Sequence, residues 1–147
     1  VKEIAELWAN LATIQRLNMP ERYSFEGEGK NWQEFVKRKI EKKQNLLLVI
    51  KKKGEYEVRG FMYLQNIMLP LSDLVLKGVV EDIYTKPQYR KQGLATKLLN
   101  VALDWAAKQN TKQVDFILLE RAKDLSGFFN AFTKQQKNDV ELKSVSI

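Results

Sequence analysis

The sequence contains no cysteine and no histidine. Without cysteine there is no disulfide scaffold and no thiolate nucleophile. Without histidine there is no Ser-His-Asp triad, and without either residue no Cys/His metal site. Acid–base chemistry falls to carboxylates, tyrosines, lysines, water or backbone groups. No apolar run approaches the ~18 residues of a membrane span, and no signal peptide is read at the start. No internal repeat or low-complexity segment is found. The missing cysteine fits a reducing cytoplasm, the expected location. The first residue is Val1 rather than Met, which suggests that further residues precede it.

What remains is a 147-residue chain that is 44% apolar, read as one domain over residues 1–147 with a real core. Its 25 Lys plus Arg against 18 Asp plus Glu give a net charge of +7. That balance suits an anionic partner, whether nucleic acid, a membrane surface or a phosphorylated ligand. The lysines are dispersed along the chain, which weighs against nucleic acid and fits an ordinary solvated surface.

Ile4, Leu7, Trp8, Leu11 and Ile14 recur at spacings of three and four, predicting a helix over 1–18 that Pro20 stops. Glu26-Gly27-Glu28-Gly29 reads as an acidic loop. A second helix carries Trp32, Phe35, Val36 and Ile40 on one face, with lysines opposite. Residues 46–50 read as a buried strand, 51–55 as a turn containing Gly54, and 58–64 as the partner strand. The stretch 66–77 is apolar but contains Pro70, and reads as a loop. A strand over 78–85 ends at Pro87. The clearest helix spans 93–110, with Leu94, Leu98, Val101, Ala102 and Trp105 on one side. A buried strand over 114–119, a helix over about 125–135 and an imperfectly alternating strand over 140–147 complete the chain. This order predicts an α/β fold with a mixed sheet.

The segment from Val79 to Thr96 is the most informative. A strand runs into a short loop of basic and small residues, Lys86-Pro87-Gln88-Tyr89-Arg90-Lys91-Gln92-Gly93, and a long helix leaves it. Backbone N–H groups and the positive helix end then converge on one spot, a natural anion site. Gly93 permits close approach of a phosphate, and Arg90, Lys91 and Lys97 add charge. The nucleotide-binding patterns G-x-x-x-x-G-K-S/T and G-x-G-x-x-G are both absent. A tight strand–helix turn with solvated basic residues accounts for the spacing equally well.

Arg90-Lys91-Gln92-Gly93-Leu94-Ala95 matches the R/Q-x-x-G-x-G/A signature, and with the strand before it and the helix after it the chain resembles the GNAT N-acetyltransferase superfamily. More loosely, the whole order of elements is similar to that family's. The resemblance implies a mixed sheet with helices on both faces and a splayed central strand pair. It implies acetyl-CoA as acyl donor and no metal. Its pyrophosphate would lie on Arg90, Lys91, Gln92, Gly93, Leu94, Ala95 and Thr96. Its pantetheine arm would pair with Ile83, Tyr84 and Thr85, where the strand splays from 114–119. A neutral amine would attack the thioester directly, with one group to take its proton and another to protonate the thiolate.

The resemblance makes Glu81 the catalytic base; read without it, Glu81 is an ordinary strand carboxylate paired to a lysine. Strand alternation places Asp82 on the opposite face, in a structural role. Relatives carry an acid tyrosine in an N-x-x-A-x-x-F/Y-Y pattern followed by a glycine and an aromatic. Here Ser126 stands for the asparagine, Thr133 for the tyrosine, and Lys137-Asn138 for the ending. Threonine is a poor acid, so Tyr84 or water is the substitute. Phe128, Phe129 and Phe132 read as core. Relatives also open with a short strand and close with two, so either the sheet or the chain is trimmed. The acceptor amine, of unknown identity, would meet Tyr23, Phe25, Glu26 and Glu28, unless these form a solvated loop. A homodimer is left open. Two other readings stand beside the enzyme: a degenerate GNAT domain that binds acyl-CoA without turnover, and a basic nucleic-acid-binding domain.

Overall fold

In a computed structural model, residues 1–18, 32–70, 74–118, 123–134 and 140–146 are described. Helix α1 (Lys2–Asn18) buries Leu7, Trp8 and Leu11 of the expected stripe together with Ala5 and Ala12, while Ile4 is half-buried and Ile14 at its far end stays exposed. Helix α2 (Trp32–Glu41) is short and turns Val36 fully inward. The expected loop over residues 26–29 lies outside the described residues.

Among the described residues five strands form one sheet in the order β1-β2-β3-β4-β5. Strand β1 (Leu46–Ile50) pairs antiparallel with β2 (Gly60–Pro70), from Leu46↔Leu64 to Ile50↔Gly60. Strand β2 pairs antiparallel with β3 (Leu74–Thr85). Helix α3 (Leu94–Lys108) then crosses over to β4 (Gln113–Leu118), parallel to β3. Helix α4 (Lys123–Thr133) crosses to β5 (Glu141–Ser146), parallel to β4. Parallel neighbours need such crossovers, and the sheet is therefore mixed as expected.

The reading of 66–77 as a loop is corrected over 66–70 and 74–77; residues 71–73 lie outside the described residues. The β2–β3 ladder continues through Asn66↔Gly78, Ile67↔Lys77, Met68↔Leu76 and Leu69↔Val75 to Pro70↔Leu74. Pro70 suggested a break, but it occupies the last rung, where a missing N–H costs the ladder little. Apolar content in this stretch belongs to a long hairpin rather than to a connection.

The sheet separates two apolar clusters. Met62, Leu64, Val80 and Phe116 face α3 and α4, packing on Leu99, Leu103 and Phe129. Phe61, Tyr63 and Tyr84 face α1 and α2, packing on Trp8 and Val36. Alternation along β2 is strict across 61–64, so both faces carry helices. Each such large side chain contributes about 1.5–3 kcal/mol when fully buried. Phe128 packs on the first cluster and Phe132 belongs to it, so the three α4 phenylalanines are core. Val101, expected on the inner face of α3, is 53% exposed; the inner face is Leu98, Leu99, Ala102, Leu103 and Ala106.

Candidate active site

The turn between β3 and α3 is built from the chain's own geometry. Pro87–Tyr89 forms one 3-10 turn, with Tyr89 N donating to Lys86 O at 2.9 Å and Arg90 N to Pro87 O at 3.3 Å. Lys91 (φ 62°) and Gly93 (φ 76°) both adopt left-handed backbone. The first helical bond of α3 runs from Lys97 N to Gly93 O at 3.1 Å. Among the described residues no acceptor meets the amides of 91–96, which surround the positive end of a 15-residue helix. A Cβ added to Gly93 would meet nothing within 4 Å among the described residues, so these leave the space above the turn open to an anion.

The cations at the turn are not all directed at that space. Arg90 Nε donates to Thr85 O at 3.0 Å, and its guanidinium lies 5.7 Å from the Tyr84 ring centroid. Arg90 therefore clamps the end of β3, and the Thr85 carbonyl already has a partner. Lys91, Gln92 and Gly93 are exposed, whereas Leu94, Ala95 and Thr96 are half-buried.

A second group of residues braces the turn from the β1–β2 side. Glu57 accepts from Lys86 Nζ at 2.9 Å and from the Tyr89 hydroxyl at 2.7 Å. Arg59 stacks over the Tyr89 ring at 4.2 Å, and Lys86 N donates to Arg59 O at 2.9 Å. The bond from Tyr89, then that from Lys86, holds the Glu57 carboxyl below the usual carboxylate range; the same bond raises the Tyr89 phenol. Sequence reasoning missed this brace because its members lie about thirty positions apart and share no local pattern.

Next to the turn the sheet opens. The β3–β4 ladder ends at Val80↔Phe116, although β3 continues to Thr85 and β4 to Leu118. Among the described residues, 81–85 therefore have no partner on the β4 side, which is the expected splay. At its apex the β2–β3 register slips between Tyr63 and Leu64: Leu64 opposes Val80, Tyr63 opposes Asp82, and Glu81 is unopposed. Glu81 is the extra residue of a β-bulge.

The bulge corrects the expected faces of the two carboxylates. Plain alternation sends Glu81 and Asp82 to opposite sides; the extra residue brings both to the α1/α2 side. Glu81 Oε2 meets Lys39 Nζ on α2 at 3.2 Å. Asp82 accepts from Trp8 Nε1 at 3.0 Å and from Gln15 Nε2 at 3.2 Å, both on α1. Burial beneath α1 pushes the Asp82 carboxyl up, against the two hydrogen bonds, and the charge of Glu81 adds to the rise. Lys39 Nζ also lies 4.7 Å from the Tyr63 ring centroid and 5.3 Å from that of Phe35. The Tyr63 hydroxyl accepts from Asn45 Nδ2 at 2.6 Å, and burial pushes the phenol's pKa up, which disfavours its ionised form.

The remaining predicted residues divide. Ile83 packs toward α3, while Tyr84 is buried on the α1/α2 side, its ring 6.4 Å from that of Phe61. Thr133, in the place of the acid tyrosine, is exposed and bonds back to Asn130 O at 3.0 Å. Tyr23, Phe25, Glu26, Glu28, Lys137 and Asn138 lie outside the described residues, as does the side chain of Ser126. Among the described residues no three Asp or Glu side chains gather as metal ligands, and no helix is long and apolar enough to cross a membrane.

The acetyltransferase (GNAT) family model matches residues 8–134. No curated protein matches the sequence. Among solved structures, a Bacillus halodurans protein crystallised as a point mutant superposes with a TM-score of 0.77 at 12% identity, covering 99% of this chain and 94% of that one. The ribosomal-protein-alanine N-acetyltransferase of Brucella melitensis biovar Abortus gives 0.67 at 17% identity, over 88% and 82% of the two chains. AAC(6')-Iy, in complex with the bisubstrate analogue CoA-S-monomethyl-acetylneamine, gives 0.65 at 13% identity, over 92% and 85%. At these identities the likeness is one of fold.

Proposed function

Because the chain belongs to the acetyltransferase (GNAT) family, we propose that it transfers an acetyl group from acetyl-CoA to a primary amine of a small molecule or protein. The observation that carries this reading is the unpaired stretch 81–85, with a carboxylate at its apex and a turn of free amides at its end. The donor fits these residues. The amides of Lys91, Gln92, Gly93, Leu94, Ala95 and Thr96 suit a pyrophosphate, whereas the Arg90 amide is bonded to Pro87 O and only its side-chain charge lies near the turn. Ile83, Tyr84 and the Thr85 amide offer backbone groups to an extended arm. The donor supplies an activated thioester; the chain supplies position and proton transfer.

In this reading Glu81 takes the proton of the incoming ammonium, and Asp82 behind it adds negative potential. A backbone N–H of the unpaired stretch polarises the thioester carbonyl. Tyr84 shares the α1/α2 side with Glu81, and its hydroxyl has no partner among the described residues; it is the proposed proton donor to the thiolate. Thermal denaturation with acetyl-CoA tests donor binding: at 100 times its dissociation constant a ligand stabilises by about 2.7 kcal/mol. No shift at millimolar acetyl-CoA overturns the reading. CoA release with a panel of amines then tests turnover.

One observation favours a second reading, acyl-CoA binding without turnover. The Thr133 hydroxyl is tied to Asn130 O, so the end of α4 presents no acid. Acetyl-CoA would then raise the melting temperature, and no amine would release CoA.

A further inference from the structure

We propose that Lys39 is an internal acetyl acceptor: its Nζ stands in the place of the acceptor amine and takes one acetyl group from acetyl-CoA. The inference rests on the acetyl-transfer reading above. Its starting point is where the Lys39 ammonium sits. Lys37 and Arg38 are exposed on the outer side of α2, whereas the Lys39 side chain keeps only 22% of its exposure. Its Nζ contacts Glu81 Oε2 at 3.2 Å and lies over the rings of Tyr63 and Phe35 at 4.7 and 5.3 Å.

A carboxylate with two aromatic faces is the recognition set for a primary alkylammonium. Here that set is filled by the chain's own alkylammonium. The location matters as much as the chemistry. Glu81 is the first residue beyond the last β3–β4 rung, so Lys39 Nζ stands at the apex of the opening that the thioester would reach.

The step balances without any other reactant. Glu81 accepts a proton from the Lys39 ammonium. The Nζ lone pair attacks the thioester carbonyl; the N–C bond forms and the C–S bond breaks. The sulfur leaves with the bonding pair and is protonated by Tyr84 or water. The product is a neutral amide that no longer forms an ion pair with Glu81. Once Glu81 has passed its proton to solvent, its carboxylate is free for an external amine, so self-acetylation would release the carboxylate as well as mark the site.

The test incubates the full chain with acetyl-CoA alone and maps acetyl groups by peptide mass spectrometry, with thermal denaturation in parallel. The expected result is one acetyl group on Lys39, formed at a rate unchanged by tenfold dilution of the protein, since the step is intramolecular. Lys39→Arg keeps the charge and carries no acetyl at that position. Glu81→Gln slows the modification by roughly a hundredfold, and Gly93→Glu abolishes it. A chain that acetyl-CoA stabilises but whose Lys39 stays unmodified overturns the proposal while leaving donor binding standing. So does a Lys39 rate no faster than that of Lys37, or no faster than in the urea-unfolded chain. Absence of any thermal shift removes the acetyl-CoA reading itself, and this inference with it.

Discussion

At the scale of single residues, Asp82 couples the fold most directly to pH. Its carboxyl is raised by burial under Trp8 and Gln15, so the folded chain holds that proton to higher pH than the unfolded chain does. The folded state then binds more protons, and stability falls as pH rises from the ordinary carboxylate range through the raised value. With no histidine in the chain, no imidazole adds a step near neutrality. Asp82→Asn retains an acceptor for Trp8 Nε1 and should flatten this decline, as read from melting temperatures between pH 4 and 8. If the variant shows the wild-type slope, burial of Asp82 is not its source. Glu81→Gln should depress CoA release most at low pH, where the acceptor arrives as ammonium; a profile of unchanged shape removes Glu81 as the base. Tyr84→Phe should lower turnover while leaving the acetyl-CoA thermal shift intact, and full turnover would exclude its hydroxyl as the acid.

At the scale of elements, two glycines separate conformation from space. Gly93 opens α3 with φ 76°, and among the described residues nothing lies within 4 Å of an added Cβ. Gly93→Ala should therefore cost about 1 kcal/mol, the conformational term alone. A Cβ at Gly60 would stand 2.7 Å from the Tyr84 backbone oxygen and 3.3 Å from Thr85 Cα. Gly60→Ala forces β2 and β3 apart where the unpaired stretch ends, and should cost about 1–3 kcal/mol. Urea denaturation of both variants checks the order, and equal losses would contradict it. The same scale shows what the sequence could disclose. The β3–turn–α3 unit was legible because its pattern is local: apolar strand, Pro87, Arg90, Gly93, then an apolar helix face on which Leu98 and Ala102 are buried as expected and Val101 is not. Residues 66–70 and 74–77 were misread because Pro70 is a breaker only when it sits inside a ladder, and rung position is not a sequence property. The faces of Glu81 and Asp82 were misread because a bulge belongs to the register of two strands. Lys39 was placed among the outward lysines of α2, and only packing against Tyr63 shows it turned inward.

At the scale of the whole molecule, one sheet serves two cores. Phe61 and Tyr63 belong to the α1/α2 cluster, while Met62 and Leu64 between and beyond them belong to the α3/α4 cluster. Damage on either face therefore reaches the strand that carries the other. Phe116, 1% exposed and packed against Phe128 and Phe129, is the test position. Phe116→Ala should cost about 3–5 kcal/mol and lower the urea midpoint in a single transition with unchanged slope. Two separate transitions would show that the layers unfold independently. The bulge has a consequence at this scale too. Val80 faces α3, and Asp82, Ile83 and Tyr84 face α1, α3 and α1 in turn. If Glu81 is taken out, these parities close into an uninterrupted alternation, with Asp82 next to Val80 and every neighbour on its present side. In the reading frame of the hairpin, Glu81 is a one-residue insertion that architecture does not require. A chain shortened by that residue should keep its register and its turn of free amides, and lose only the carboxylate that meets Lys39.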